Sequence, residues 1–178
     1  MVSSKTFGQK ERKNLINGFE ISRQLGKGKF GEVYLSRHAE TGFIVALKKI
    51  IKAKLKEYKM VEQFKREIKL HSALDHPNIV KFYGFFEHDE NIYLILEYVS
   101  GGTLFDYMAE KDILSSKEAA EYLRDTIEAL TYMHEKSIAH RDIKPENVVL
   151  TVEKVAKLCD FGWSAVVESS RTTYCGTF

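Results

Sequence analysis

The sequence predicts an α+β chain, with a sheet-rich first part and a helix-led second part. Three observations carry that expectation. Five short aliphatic and aromatic runs lie between Phe19 and Tyr98, one apolar-periodic stretch sits between the third and fourth of them, and a long capped helix opens after Ser115.

The runs cover residues 19–21, 32–36, 44–50, 80–86 and 93–98, separated by Gly, Asn or charged turns, and in that order they suggest an antiparallel sheet. Before them, residues 1–17 carry Lys5, Lys10, Arg12 and Lys13 with little apolar periodicity and are expected to form a flexible leader. Within residues 60–74, Phe64, Ile68, His71 and Leu74 fall at helical spacing, and Pro77 stands beyond the end as a stop. The composition changes near 99–102, the expected hinge. Ser115 then precedes Glu118 as in a capping box and opens a helix to about residue 136, with Ala119, Leu123, Ile127 and Leu130 as its apolar stripe. Short β-rich pieces follow at 147–150 and 155–159, then a polar segment from Ser164.

Composition narrows the function. Among 178 residues, 27 Lys and Arg balance 25 Asp and Glu, a formal net charge of +2. That is too little for nucleic-acid or membrane binding driven by the field of the whole chain, so no nucleic-acid or membrane partner is expected and a charged ligand needs a local site. Cys159 and Cys175 make no disulfide framework and lack the His clustering of a zinc site, which suggests a reducing compartment. No signal-peptide-like core and no apolar run near the ~20 residues of a membrane span is present, so a soluble intracellular chain is expected.

Gly26-Lys27-Gly28-Lys29-Phe30-Gly31-Glu32-Val33 is a G-x-G-x-x-G-x-V string. The same spacing opens a helix in dinucleotide-binding folds, but here a strand pattern follows, so a hairpin laid over phosphates is expected; a glycine hairpin without a ligand is the alternative. Val45-Ala46-Leu47-Lys48 places a strand lysine to reach under that loop, if an acid holds it. Glu67 is the candidate, with Glu62 and Glu57 as rivals, and the surrounding Lys49, Lys52, Lys54 and Lys56 keep a reading as surface charges. In His140-Arg141-Asp142-Ile143-Lys144-Pro145-Glu146-Asn147, Asp142 can orient a hydroxyl proton, Lys144 can neutralise a transferred phosphoryl, and Asn147 can offer oxygen to Mg²⁺. Asp160-Phe161-Gly162 adds a carboxylate suited to the same hard ion.

These motifs, in this order, resemble the eukaryotic protein kinases from about Phe19 to Phe178. Leu25-Gly26-Lys27-Gly28-Lys29-Phe30-Gly31, His76-Pro77-Asn78-Ile79, Tyr93-Leu94-Ile95-Leu96-Glu97-Tyr98 and Asp160-Phe161-Gly162-Trp163-Ser164 resemble the Aurora kinases, and Arg171-Thr172-Thr173-Tyr174-Cys175-Gly176-Thr177 is similar to the Aurora activation segment.

The resemblance implies a five-stranded antiparallel N-lobe with one main helix over residues 18–98, and a hinge with a partial, mainly helical C-lobe over 99–178. Serine/threonine phosphorylation with ATP and Mg²⁺ is implied, with Asp142, Lys144, Lys48, Glu67 and Thr177 in the catalytic set. ATP would be held by Leu25, Gly26, Lys27, Gly28, Lys29, Gly31, Val33, Ala46, Lys48, Leu96, Glu97, Tyr98, Val99, Glu146, Asn147, Val149 and Asp160. Among these, Leu96 would be the gatekeeper and Asn147 and Asp160 the metal ligands. Phe82, His71, Phe161 and His140 would stack as a spine, and Cys159 would line the back of the pocket or serve as a small buried hydrophobe.

Thr173 would be the activating phosphosite, with Thr172 as competitor and Arg141 as receiver. Substrates with basic residues before Ser or Thr, a protein activator docking on the N-lobe, and a place at the spindle or centrosome in dividing cells are implied by analogy alone. The rival reading is a nucleotide- or regulator-binding fragment without transfer activity, because Phe178 falls before any Ala-Pro-Glu-like signature.

Overall fold

The computed structural model describes residues 15–162 and 164–166, which form two compact units. One contains the residues up to Met60 together with Phe82–Tyr98; the other contains Val61–Lys81 and the residues from Val99 onward.

The first unit is built on a six-stranded antiparallel sheet in the order β1-β2-β3-β4-β6-β5. Its strands are β1 (Leu15–Ile16), β2 (Phe19–Lys27), β3 (Gly31–His38), β4 (Ile44–Ile51), β5 (Phe82–His88) and β6 (Asn91–Glu97). The five expected strands are all present. The sixth, β1, lies inside the stretch expected to be leader: Leu15 and Ile16 pair with Glu20 and Phe19 across the Asn17-Gly18 turn, where both residues take positive φ. One sheet face buries Val45 and Leu47 with Phe19, backed by Ile21, Phe86 and Ile95. A short helix absent from the sequence reading, α1 (Lys52–Glu57), follows β4 directly and buries Leu55.

The second unit holds α2 (Val61–Ser72), α3 (Leu104–Lys111) and α4 (Ser116–Glu135), with two small two-stranded pairings. These are β7 (Ile138–Ala139) with β10 (Ala165–Val166), and β8 (Val148–Leu150) with β9 (Ala156–Leu158). The capping box is present at α4: the Ser115 hydroxyl accepts from the Glu118 amide, and the Glu118 carboxylate accepts from the Ser115 amide.

The buried face of α4 is Tyr122, Asp125, Ala129 and Met133, not the expected stripe. Leu123 and Ile127 are exposed, while Leu130 packs at the core margin. The reason is polar. Asp125 turns inward because its carboxylate accepts from the Ala156 amide at 3.0 Å, a bond that hydropathy cannot count. Leu70, Leu74, Ile79, Leu150, Leu158 and Phe161 join that face in one core. No helix among the described residues is long and apolar enough to cross a membrane.

Candidate active site

In the first unit, strand register sorts the predicted nucleotide residues onto one sheet face. Side chains directly opposite on paired strands share a face, and residues two apart along a strand share it as well. Lys48 stands opposite Val33 and Leu94, Ala46 opposite Leu96, and Gly26 opposite Val33. The face away from the Val45–Leu47 core therefore carries Gly26, Val33, Ala46, Lys48 and Leu96 together. The Gly28 amide donates to the Gly31 carbonyl at 2.8 Å, closing the tight turn that holds Lys29 and Phe30 at its tip.

The three glycines of this loop have different reasons to be glycine. A Cβ on Gly31 would lie 1.7 Å from the Lys49 carbonyl oxygen, so close packing of two strands excludes any side chain there. A Cβ on Gly26 would meet nothing within 4 Å, and one on Gly28 only the Gly31 carbonyl at 4.0 Å; neither has positive φ. The fold itself does not need glycine at these two positions, which leaves open space above the loop for a ligand to approach the backbone.

In the second unit, the loop after β7 is fastened from both ends. The Asp142 amide donates to His140 Nδ1 at 3.3 Å, and His140 Nε2 donates to the Cys159 carbonyl at 3.1 Å. Those two bonds fix a neutral imidazole with its proton on Nε2. Burial pushes the His140 pKa below its ordinary value, against the pull of the Cys159 carbonyl. Arg141 sits at φ 67°, a left-handed turn that a side chain tolerates at a cost of about 1–3 kcal/mol and that turns the chain into Asp142. The buried Asp142 carboxylate receives two donors on the same oxygen: Asn147 Nδ2 at 2.8 Å and Lys144 Nζ at 3.1 Å. Asn147 Nδ2 also donates to the Asp142 carbonyl at 2.9 Å.

The β8–β9 hairpin brings Asp160 to the same end. Val148 pairs with Leu158, and the Cys159 amide donates to the Asn147 carbonyl at 2.9 Å, so Asp160 is the next residue out from Asn147's partner. Asp160 is exposed and has φ 59°, a second left-handed non-glycine residue at this end. Phe161 is fully buried, with its ring 4.2 Å from His71 and 5.1 Å from His140 between centroids. Three members of the expected spine thus meet in one unit, while Phe82 belongs to the other. Helix α2 meets this segment twice. Gln63 Nε2 donates to the Gly162 carbonyl at 2.6 Å, and the buried Glu67 carboxylate lies 3.5 Å from where a Gly162 Cβ would stand. Lys48 and Glu67 fall in different units.

Comparison with known proteins decides the family. Residues 19–178 match the family model described as the protein kinase domain. The chain belongs to the protein kinase family. Within it, the chain falls in the Aurora group of serine/threonine kinases. It is 46% identical over 171 residues to an Aurora kinase of Schizosaccharomyces pombe (96% of this chain, 48% of that protein) and 45% identical over 169 residues to Aurora kinase A-A of Xenopus laevis (94% and 42%). It is likewise 45% identical over 163 residues to Aurora kinase C of Mus musculus (91% and 59%). The chain spans about half the length of these curated relatives.

Protein kinase domains in general use ATP with Mg²⁺, and the residues present fit both. Asn147 commits its amide nitrogen to Asp142, which leaves its oxygen as the end that can serve a cation; with the Asp160 carboxylate one position beyond the hairpin pairing, the donor set is hard oxygen. Among the described residues no cluster of three or more His, Cys, Asp or Glu side chains could cage a metal alone.

Leu25 and Lys27 end β2, Lys29 is at the loop tip, and Glu97 closes β6 opposite Val45, ahead of Tyr98 and Val99. Val149 faces away from buried Val148 and Leu150, and Glu146 is exposed beside Asn147. Thr172, Thr173 and Thr177 lie outside the described residues. Sequence reading missed Gln63, which stands one helical turn before Glu67 on the same face of α2; that spacing was its available signal.

Proposed function

We propose that this chain carries the nucleotide-binding and phosphoryl-transfer machinery of an Aurora-like serine/threonine kinase, moving the γ-phosphoryl of ATP to a protein Ser or Thr hydroxyl. The observation that carries the reading is the Asp142 carboxylate held on one oxygen by Asn147 and Lys144. A carboxylate pinned in this way is oriented before substrate arrives, so it can accept the hydroxyl proton and align the attacking oxygen. Lys144, bonded to that same carboxylate, puts positive charge where the transferring phosphoryl develops negative charge. Mg²⁺, when bound through Asn147 and Asp160, would supply charge neutralisation at the phosphates. The Gly26 and Gly28 backbone would approach the phosphates, and Lys48 and Glu67 keep the roles the resemblance implies. Hydrophobic Val33, Ala46, Leu96 and Val149 would enclose the base.

Control by phosphate on Thr173, received by Arg141, belongs to the same reading, as do substrates with basic residues before the acceptor, a protein activator on the first unit, and a role in cell division. These rest on the resemblance to the Aurora kinases alone. Incubation with γ-labelled ATP, Mg²⁺ and a basic Ser/Thr peptide, followed by phosphoamino-acid analysis, tests the reading. Label on serine or threonine is expected. Label only on tyrosine contradicts the acceptor class, and ATP binding without any label favours a nucleotide-binding fragment.

A further inference from the structure

The tip of the glycine loop is held by the short helix next to it. Helix α1 starts from a docked position: the Lys52 amide donates to the Glu90 carbonyl at 3.1 Å, and its ammonium donates to Glu87 at 2.7 Å. It ends in a Schellman closure, with the Met60 amide donating to the Leu55 carbonyl at 2.8 Å and the Lys59 amide to Lys56 at 3.1 Å, Lys59 taking φ 53°. Both ends being fixed, Lys54 and Tyr58 project from the same side of α1 at i, i+4 spacing.

Both reach the loop. The Lys54 ammonium donates to the Lys29 carbonyl at 3.2 Å. The Tyr58 ring meets the Phe30 ring edge to face, with centroids 5.8 Å apart at 83°, and the Lys29 ammonium sits 4.0 Å from the Tyr58 centroid. The Phe30 carbonyl, in turn, accepts from the Ile51 amide at 3.1 Å. In a trans peptide the N–H points opposite to the C=O. With the Lys29 carbonyl drawn toward α1 and the Phe30 carbonyl toward the end of β4 that leads into it, the amides of Phe30 and Gly31 are turned away from them. Successive amides presented on one side of a turn are a site for an anion.

We infer that Lys54 and Tyr58 are positioning residues, which hold the glycine-loop tip so that its amides are already presented to nucleotide phosphates before binding; this rests on the nucleotide reading above. Prior ordering of the loop removes part of the entropy cost of gripping the ligand.

Amide hydrogen exchange over residues 26–31 is measured for wild type, Tyr58→Ala, Tyr58→Phe and Lys54→Met, with titration of a fluorescent N-methylanthraniloyl ATP on the same proteins. Tyr58 is 45% exposed, so its truncation removes no core, and Lys54→Met gives a second variant that keeps the stem. Expected are about tenfold faster loop exchange in Tyr58→Ala, a smaller rise in Lys54→Met and the wild-type rate in Tyr58→Phe, with nucleotide affinity falling about five- to tenfold in Tyr58→Ala. Unchanged exchange in Tyr58→Ala and Lys54→Met, or Tyr58→Phe behaving as Tyr58→Ala, overturns the inference. Faster exchange without weaker nucleotide binding overturns the positioning role. A wild-type chain that binds no nucleotide overturns the nucleotide reading and the role that rests on it, while the exchange measurement separately reports whether these contacts hold the loop.

Discussion

The side-chain amide of Asn147 donates to Asp142 twice, to the main-chain carbonyl at 2.9 Å and to the carboxylate at 2.8 Å. Both residues are buried, so the amide, alongside the Lys144 ammonium, keeps a desolvated carboxylate supplied with donors. Replacing it with the similarly sized Asn147→Leu removes both bonds and is expected to cost about 1–3 kcal/mol, read as a lower urea midpoint with an unchanged m-value. A midpoint equal to wild type would show that the pair contributes nothing to stability.

The glycine loop separates folding from ligand binding by position. Gly31→Ala drives a methyl into the Lys49 carbonyl and is expected to destabilise by about 2 kcal/mol or more. Gly26→Ala and Gly28→Ala meet open space and are expected to change stability by no more than about 0.5 kcal/mol while weakening ATP binding. Thermal melts and ATP titrations on the three variants check this. Equal melting losses at all three positions would remove the reason for assigning Gly26 and Gly28 to a ligand.

His140 sets an acid limit. Its folded pKa lies below the ordinary value of 6.5 because burial disfavours the imidazolium. The unfolded chain therefore binds the proton first, so this contribution to stability is fully present above about pH 6.5 and is lost as pH falls through the lowered folded value. Urea midpoints taken from pH 8 down to pH 5 should fall, and the fall should be shallower in His140→Phe. Identical slopes in the two proteins would mean that another group carries the acid sensitivity.

A second acid limit belongs to Glu118, whose pKa is pulled down to about 2 by the Lys111 ammonium first, then by the Ser115 hydroxyl and amide and by Tyr107. Its contribution is present above the ordinary carboxylate value of 4.5 and is lost as pH falls toward 2. The helix cap itself is tested by Ser115→Ala, expected to cost about 1 kcal/mol at neutral pH by chemical denaturation. An unchanged denaturation midpoint would show that the capping box is not needed to start α4.

Most strands were legible because each couples an alternating pattern to a turn: the Val45-Ala46-Leu47-Lys48 alternation alone separates a core face from the Lys48 face, and the register across Val33 and Leu96 agrees with it. The local closure of the 140–147 loop was legible from motif order, since Asp142, Lys144 and Asn147 lie within six residues and contact one another.

The phase of α4 was not legible, because Leu123 and Ile127 advertise an apolar stripe while the inward side is set by Asp125 and its bond to the Ala156 amide. Helix α3 was missed for a related reason. It fully buries no residue: Leu104 and Tyr107 are only partly buried against the core while Phe105 and Met108 are exposed, and its start rests on Thr103 accepting from the Asp106 amide. The α1 grip on the glycine loop depends on tertiary approach of Tyr58 to Phe30, which no periodicity encodes.

The most direct measurement is γ-phosphoryl transfer to a protein or peptide acceptor by wild type and Asp142→Asn, each with its ATP affinity determined in parallel. The substitution keeps size and shape but removes the charge that Lys144 and Asn147 hold in place. Catalysis through this carboxylate predicts that transfer falls by about 10²-fold or more while ATP affinity stays within about threefold. Near-normal turnover in Asp142→Asn would contradict it.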